Sequence, residues 1–389
     1  MKATETADQI PVARYAVNSL HEVRLGGVNQ WVLLRGQDRS RPVLLMLHGS
    51  KDSAFPYARY LGRTARLEES FVVAYWDRRG SGKSATREAS PDSITIEQYV
   101  SDTLELAAWL KERFRSSKIV LFGVSVGSLV GMLALATAPQ LFGAYVAMGQ
   151  YTNDTEAGAF AYRIAVERAQ RAGDSRATHA LAEIGPPPHS FEQSWRFFEV
   201  AAKVGPYADM PELRPSFSAR LLMTILRTPG YSLRDKLRML RKGGSCLECL
   251  LPQLARYDLP SLVRHVDVPA VFLQGRLDYQ TPGGLVERYV NELDAHGGKH
   301  LVWLERSGHL VAPDDLAQLG DVLANVAKQV TDAGATVTDQ RRQQTRGGIR
   351  APESGGTATR VSSPAPSWRR RVSGARKRQR VVQAGQQKE

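Results

Sequence analysis

A mostly parallel α/β sheet with helices on both faces, interrupted by a helical insertion, is the fold class this sequence predicts. Three observations lead to it. Short apolar runs alternate with longer amphipathic ones from about residue 18 to 150. The alternation stops over residues 152–264, which read as helical, and strand-like runs resume at Val268. The apolar runs are largely continuous, as strands covered on both faces must be.

The elements follow in order. Residues 20–25 and 31–34 flank Gly26-Gly27 and read as a β-hairpin. Residues 43–47 form a buried strand ending at His48-Gly49, and 71–76 another ending at Asp77, with a helix over 55–67 between them. Residues 96–114 carry Val100, Leu104, Leu106, Leu110 and Phe114 on one helix face. A strand at 118–122, an apolar helix at 129–136 and a strand at 142–148 complete the first run. After the insertion come a strand at 268–273, a helix at 285–293, a strand at 300–304 and a last helix over roughly 310–330. The expected organisation is a first core segment at 1–151, a helical lid at 152–264, a second core segment at 265–332 and a disordered basic tail at 333–389. The tail is rich in Gly, Ser, Thr, Gln and Arg, and buries too little apolar surface to offset its ordering entropy.

The formal net charge of +13 over 389 residues suggests a nucleic-acid partner until its distribution is read. Residues 331–389 hold 13 of the 52 Lys and Arg and 4 of the 39 acids, which leaves 39 bases against 35 acids, or +4, for the body. Basic clusters at Arg369–Arg371 and Arg376–Arg380, beside Trp368, are of the kind that binds nucleic acid or anionic membrane through counterion release. No catalytic feature depends on them, and a nucleic-acid partner is not expected. No apolar run approaches the roughly 18 residues of a membrane span. The polar, acid-bearing N-terminus lacks a secretory pattern, so the expectation is a soluble cytoplasmic protein. The oligomeric state stays open. Cys246-Leu-Glu-Cys249 has no second pair for a structural zinc and no redox-type setting, and reads as two buried or half-buried thiols.

The chemistry centres on Gly123-Val-Ser125-Val-Gly127, set between an apolar strand and an apolar helix. A serine on such a sharp turn is pushed out of the sheet, and the flanking glycines give the turn room. Serine needs a base, and the base an orienting acid. The strand at 268–273 runs into Gln-Gly275-Arg-Leu-Asp278, and the strand at 300–304 into Glu-Arg-Ser-Gly308-His309. Asp278 and His309 therefore sit in loops above the carboxyl ends of neighbouring strands, where open α/β sheets bind ligands. Ser125 is the expected nucleophile, His309 the base and Asp278 the orienting acid, with Glu305 as the competing carboxylate. His300 and His265 are poorer bases, one inside a strand and the other ahead of one. An oxyanion hole takes two preset N–H groups. Val126 supplies one and Ser50, after the strand at 43–47, the other, with His48 holding that loop. Asp77 to Ser84 lacks phosphate-loop spacing and reads as a structural loop.

Taken together, His48-Gly49, Asp77-Arg-Arg-Gly80-Ser-Gly82-Lys-Ser84, Gly123-x-Ser125-x-Gly127, Gly275-x-x-Asp278 and Ser307-Gly-His309 resemble the α/β-hydrolase superfamily over residues from about 20 to 330. The Asp77–Ser84 segment, the helical insertion led by Gly149-Gln150, and Gly185-Pro-Pro-Pro188 are similar to the proline iminopeptidase branch. That resemblance implies hydrolysis of an N-terminal residue, often proline, from a short peptide, with no metal and no cofactor. Where that branch has His-Gly-Gly-Pro-Gly, this chain has His48-Gly-Ser-Lys-Asp52. Amino-terminal recognition requires lid carboxylates, for which Glu156 and Glu192 are the candidates, with Asp154 behind them. The other readings are a carboxylesterase on the same triad and a ligand-binding protein that keeps the fold without catalysis.

Overall fold

The computed structural model describes residues 5–6, 15–49, 53–115, 118–228, 230–239, 244–346 and 368. Its strands are β1 (Glu5–Thr6), β2 (Val17–Leu25), β3 (Val28–Gly36), β4 (Val43–Leu47), β5 (Val72–Asp77), β6 (Ile119–Val124), β7 (Phe142–Met148), β8 (His265–Val266), β9 (Ala270–Gly275), β10 (Asp294–Ala295) and β11 (Lys299–Leu304). Nine of them form one sheet in the order β1-β2-β3-β5-β4-β6-β7-β9-β11, while β8 and β10 pair separately. From β5 through β11 every pairing is parallel, and β1, β2 and β3 extend the sheet antiparallel. The chain is thus a mostly parallel α/β sheet of the α/β-hydrolase type. Strand order reverses at β4, which has β5 on one side and β6 on the other. A crevice opens at such a switch point, at the carboxyl ends of the strands.

The central parallel strands are buried on both faces, whereas the edge strand β11 is mostly half-buried, and the side chains of the central strands alternate between two cores. Leu45, Leu47 and Trp76 join Leu129, Leu133 and Tyr145 on one face. Leu44, Met46 and Tyr75 join Phe55, Leu61, Phe122 and Leu319 on the other. The hairpin turns at Gly26 and Gly27 with φ of 51° and 79°, the two positive values that a right-twisted two-residue turn demands.

Between β7 and β8 the described chain is helical. The helices Asp154–Arg171, Ser175–Ile184 and Phe191–Ala201 start on caps from Asn153, Asp174 and Ser190. They close a small core in which Ala161, Ala165 and Ala169, four residues apart, bring Leu181, Phe197 and Met210 close to the first helix. The later helix Gly244–Leu254 is knitted to the main body instead. Its Cys246 and Leu250 lie in the first core cluster, and Gln253 bonds the backbone at Ile94 and Ile96.

Two features depart from the expected tail at 333–389. The last helix spans Leu316–Arg346, and Trp368 is fully buried, with its Nε1 donating to Thr137 Oγ1 at 2.9 Å. No proline interrupts the sequence between Pro313 and Pro352, and Gln and Arg favour helix, so the backbone continues past the last apolar residues. The basic clusters at 369–371 and 376–380 lie outside the described residues. Among the described residues, no helix is long and apolar enough to cross a membrane.

Candidate active site

Ser125 joins β6 to the helix Val126–Thr137 with φ 54° and ψ −124°, a conformation that L-residues adopt at a cost of about 1–3 kcal/mol. Its surroundings leave it no alternative. A Cβ at Gly127 would stand 2.0 Å from the Leu47 carbonyl oxygen, and one at Gly123 would stand 2.6 Å from Ser128 Cα. Ser125 N donates to the Met148 oxygen at 3.0 Å, while Ser128 N and Oγ both donate to the Ser125 oxygen, at 2.7 and 2.6 Å. Ser128 in turn holds Tyr151 N through its Oγ and the Tyr145 hydroxyl through its carbonyl. The turn is therefore clamped between β4 and β7. Val126 is the first helical residue, so its N–H has no acceptor within the helix.

His309 and Asp278 come together at the ends of β11 and β9, with Nδ1 and Oδ2 2.9 Å apart. Asp278 is buried and fixed further by Thr281 Oγ1 on Oδ2 at 2.6 Å, and by the N–H groups of Gln280 and Thr281 on Oδ1, each at 2.9 Å. Burial alone would raise its pKa, but His309 and the Thr281 bonds outweigh it and hold the carboxyl below its ordinary range. Glu305, the competing carboxylate, is exposed and paired with Arg276 instead. Gly149, just past β7, has φ 60° and leaves the floor open. A Cβ there would lie 3.1 Å from Asp278 Oδ2 and 3.3 Å from His309 Cε1.

Ser125, Val126, Gly49 and His309 line one cavity of about 350 Å³. Much of the rest of its wall comes from the insertion, including Trp195, Phe197, Phe198, Tyr207 and Leu251, with Gln280, Thr281 and Leu310 from the second core segment. His48 is buried, and its ring bonds the Gly49 carbonyl at 2.8 Å. Arg78 Nη2 reaches the His48 and Gly49 oxygens at 2.6 and 2.8 Å. Burial, aided by the Arg78 charge, depresses the His48 pKa well below the ordinary value, so the ring is neutral and holds the loop. Ser50, the second expected oxyanion donor, lies outside the described residues.

The lid carboxylates differ from expectation. Glu156 is exposed and paired with Arg288, and Glu192 is exposed on the first turn of its helix. Neither lines the cavity. Two other acids do: Asp154 and Glu212. Asp154 and Glu156 stand two residues apart, about 200° around the helix, so one faces in when the other faces out. Burial raises Asp154 to a pKa of about 6, against a small opposing effect of His189. Glu212 sits in the short turn Pro211–Leu213, which carries no periodic signal in the sequence. Its Oε1 accepts from the N–H groups of His309 at 2.7 Å and Leu310 at 3.1 Å. Its Oε2 is buried with no hydrogen-bond partner among the described residues. Burial, the largest influence, raises its pKa.

Two further expectations are answered by geometry. Cys246 is buried and Cys249 half-buried, and both are free thiols. The Asp77 carboxylate accepts from Ala54 N and Lys83 N, each at 2.8 Å, and from the Tyr231 hydroxyl, so the 77–84 segment is a structural loop. A second, mostly apolar cavity of about 170 Å³ meets the first at His309 and Leu310, lined by Tyr60, Phe217, Leu221, Ile225 and Val311.

A family model described as serine aminopeptidase, S33, matches residues 38–227. A probable aminopeptidase of Bacillus subtilis (strain 168) is 27% identical over 310 residues, covering 79% of this chain and 96% of that protein. A proline iminopeptidase-related protein of Thermus thermophilus superposes with a TM-score of 0.55 at 20% identity, over 81% of this chain and 99% of that one. The proline iminopeptidase of Mycobacterium smegmatis does so with a TM-score of 0.53 at 18% identity, over 81% and 100%.

Proposed function

We propose that this chain, an α/β-hydrolase-superfamily protein resembling the proline iminopeptidase branch, is a serine aminopeptidase that removes a first residue through an acyl-enzyme. His309 takes the Ser125 proton as Oγ attacks the scissile carbonyl, and Asp278 holds the Nδ1–H and stabilises the imidazolium that forms. The Val126 N–H, with Ser50 from the preceding loop, receives the developing oxyanion. His309 then gives its proton to the leaving amine, and a water activated by the same ring releases the acyl group.

Glu212 is the observation that carries the peptidase reading over the esterase one. A buried carboxylate with one unpartnered oxygen, on the wall beside His309, is expensive unless a cation answers it. The free ammonium of a peptide, on the α-carbon next to the scissile carbonyl, is such a cation, and Asp154, which lines the same cavity, supplies a second negative charge. The aromatic wall of Trp195, Phe197 and Tyr207 suits the first side chain. The apolar cavity beyond His309 suits the group that leaves. Simple esters need no anion here.

Labelling with a fluorophosphonate, read by mass spectrometry, tests the nucleophile. One adduct on Ser125, absent from Ser125→Ala, is expected, whereas a folded protein that takes no label would point to a non-catalytic binder. Aminoacyl-naphthylamides against nitrophenyl esters then test the substrate class, and turnover of esters alone would sink the peptidase reading. Glu212→Gln keeps the acceptor that holds His309 but removes the charge. It should raise KM for aminoacyl amides roughly 10- to 100-fold, the worth of one charge-assisted hydrogen bond, and leave any turnover of amine-free esters nearly unchanged.

A further inference from the structure

Away from the cavity, four titratable side chains meet on the small parallel pair formed by β8 and β10. His265 lies in β8 and Asp267 follows just beyond it, while Asp294 lies in β10 and His296 follows just beyond it. Residues two apart along extended chain share a face, and the register sets His265 opposite Asp294. A His-x-Asp run beside a parallel Asp-x-His run therefore gathers two imidazoles and two carboxylates on one surface. The contacts agree. His265 Nε2 stands 2.8 Å from Asp267 Oδ1, and its Nδ1 stands 3.0 Å from Asp294 Oδ2. His296 Nδ1 lies 3.6 Å from Asp267 Oδ1, and its Nε2 lies 3.7 Å from Asp294 Oδ2.

We propose that this face is a binding site for a divalent transition-metal ion of the zinc class, held by His265, Asp267 and His296 and oriented by Asp294. One ligand atom from each of the three residues lies within 4.8 Å of the other two. Ligand atoms about 2.0–2.1 Å from a tetrahedral zinc stand roughly 3.3 Å apart. The 2.8 and 3.6 Å separations around Asp267 bracket that value, so closing onto an ion takes only side-chain adjustment. Asp294 on Nδ1 of His265 is the carboxylate–histidine arrangement that fixes a ligating ring and leaves Nε2 for the metal. Two imidazoles with one carboxylate suit zinc, copper or nickel, whereas calcium and magnesium prefer all-oxygen shells. The three ligands are exposed, so water completes the coordination, and binding releases any proton carried by the ligating rings. None of the four residues lines the Ser125 cavity. The ion would instead tie the chain leaving the insertion to the segment between the helix Gly283–Glu292 and β11.

The test uses the full chain stripped with chelator. Zinc is titrated against a chromophoric chelator, and cobalt(II) is followed by its visible absorption. One equivalent per chain is expected, with a cobalt band of tetrahedral intensity and a zinc-dependent rise in Tm. His265→Ala and His296→Ala should each weaken uptake at least about 10-fold, and Asp294→Asn about 10-fold through loss of orientation. His179→Ala, at an exposed histidine paired with Glu183, serves as the control and should change nothing. Since all these positions are exposed, metal-free variants should melt with the wild type. Absence of stoichiometric uptake, or uptake that survives in the His265→Ala/His296→Ala double variant, overturns the proposal.

Discussion

Asp154 is held in a state that its surroundings disfavour. Its carboxyl has a pKa of about 6 where a free aspartate has 3.8, and burial is the main cause. A raised acid pKa means that the folded protein binds the proton more tightly than the unfolded chain does. The ionised group therefore opposes folding above about pH 6, and that penalty fades as pH falls toward 3.8. The gap between the two values bounds the effect at about 3 kcal/mol, reduced by the favourable position of an acid on the first turn of a helix. Asp154→Asn should accordingly raise Tm at pH 7 and lose that advantage by pH 4, while weakening capture of aminoacyl substrates. Thermal melts of both proteins across this range check it, and equal Tm values at pH 7 would remove the charge from the account. The same residue marks a limit of what sequence carries. Asp154 and Glu156 look equivalent on a helix start until the packing of the insertion decides which way each points. Glu212 is less legible still, lying in a three-residue turn with neither motif nor periodicity.

At the scale of elements, the site is built from places where a strand ends and the backbone must turn sharply. Those places are legible. Glycines at 123 and 127 around a serine, and loops closing on Asp278 and His309 after apolar runs, are constraints written in adjacent residues. What the sequence withholds is the second tier, the side chains that keep the turn rigid. Ser128 is an ordinary serine inside an apolar helix, yet it ties Ser125 to Tyr151 and Tyr145. Gly149 belongs to this tier too. With φ at 60°, a side chain there is strained by about 1 kcal/mol, and its Cβ would press on Asp278 and His309 at 3.1–3.3 Å. Gly149→Ala should lower kcat about 100-fold through a displaced imidazole, with KM and secondary structure little altered. Steady-state kinetics and circular dichroism decide it, and an unchanged kcat would mean that the pair tolerates the shift.

On the scale of the whole molecule, the sheet order explains why the site lies where it does. β4 is the strand at which the chain reverses direction across the sheet, so the loops after β4 and β6 diverge and leave room for substrate. That much follows from an α/β alternation and right-handed crossovers. How the far end of the chain returns does not. Composition makes 333–389 look unable to pack, and composition averages over a segment, so one tryptophan among polar residues is lost in the mean. Trp368 nevertheless lies in the first core cluster with its indole N–H on Thr137, at the C-terminal end of the helix that begins beside Ser125. Truncating a buried tryptophan to alanine costs about 3–5 kcal/mol in a packed core. The rotamer entropy lost by burying the indole itself offsets part of this, so the lower half of that range is the expectation. Trp368→Ala and a chain ending at Arg346 should therefore lose similar stability, because both remove the same anchor, and neither should change kcat. Denaturant unfolding of the two variants measures this directly. If the truncated chain matches the wild type, the anchor is energetically idle, and the charge excess of the tail is its only physical property of note.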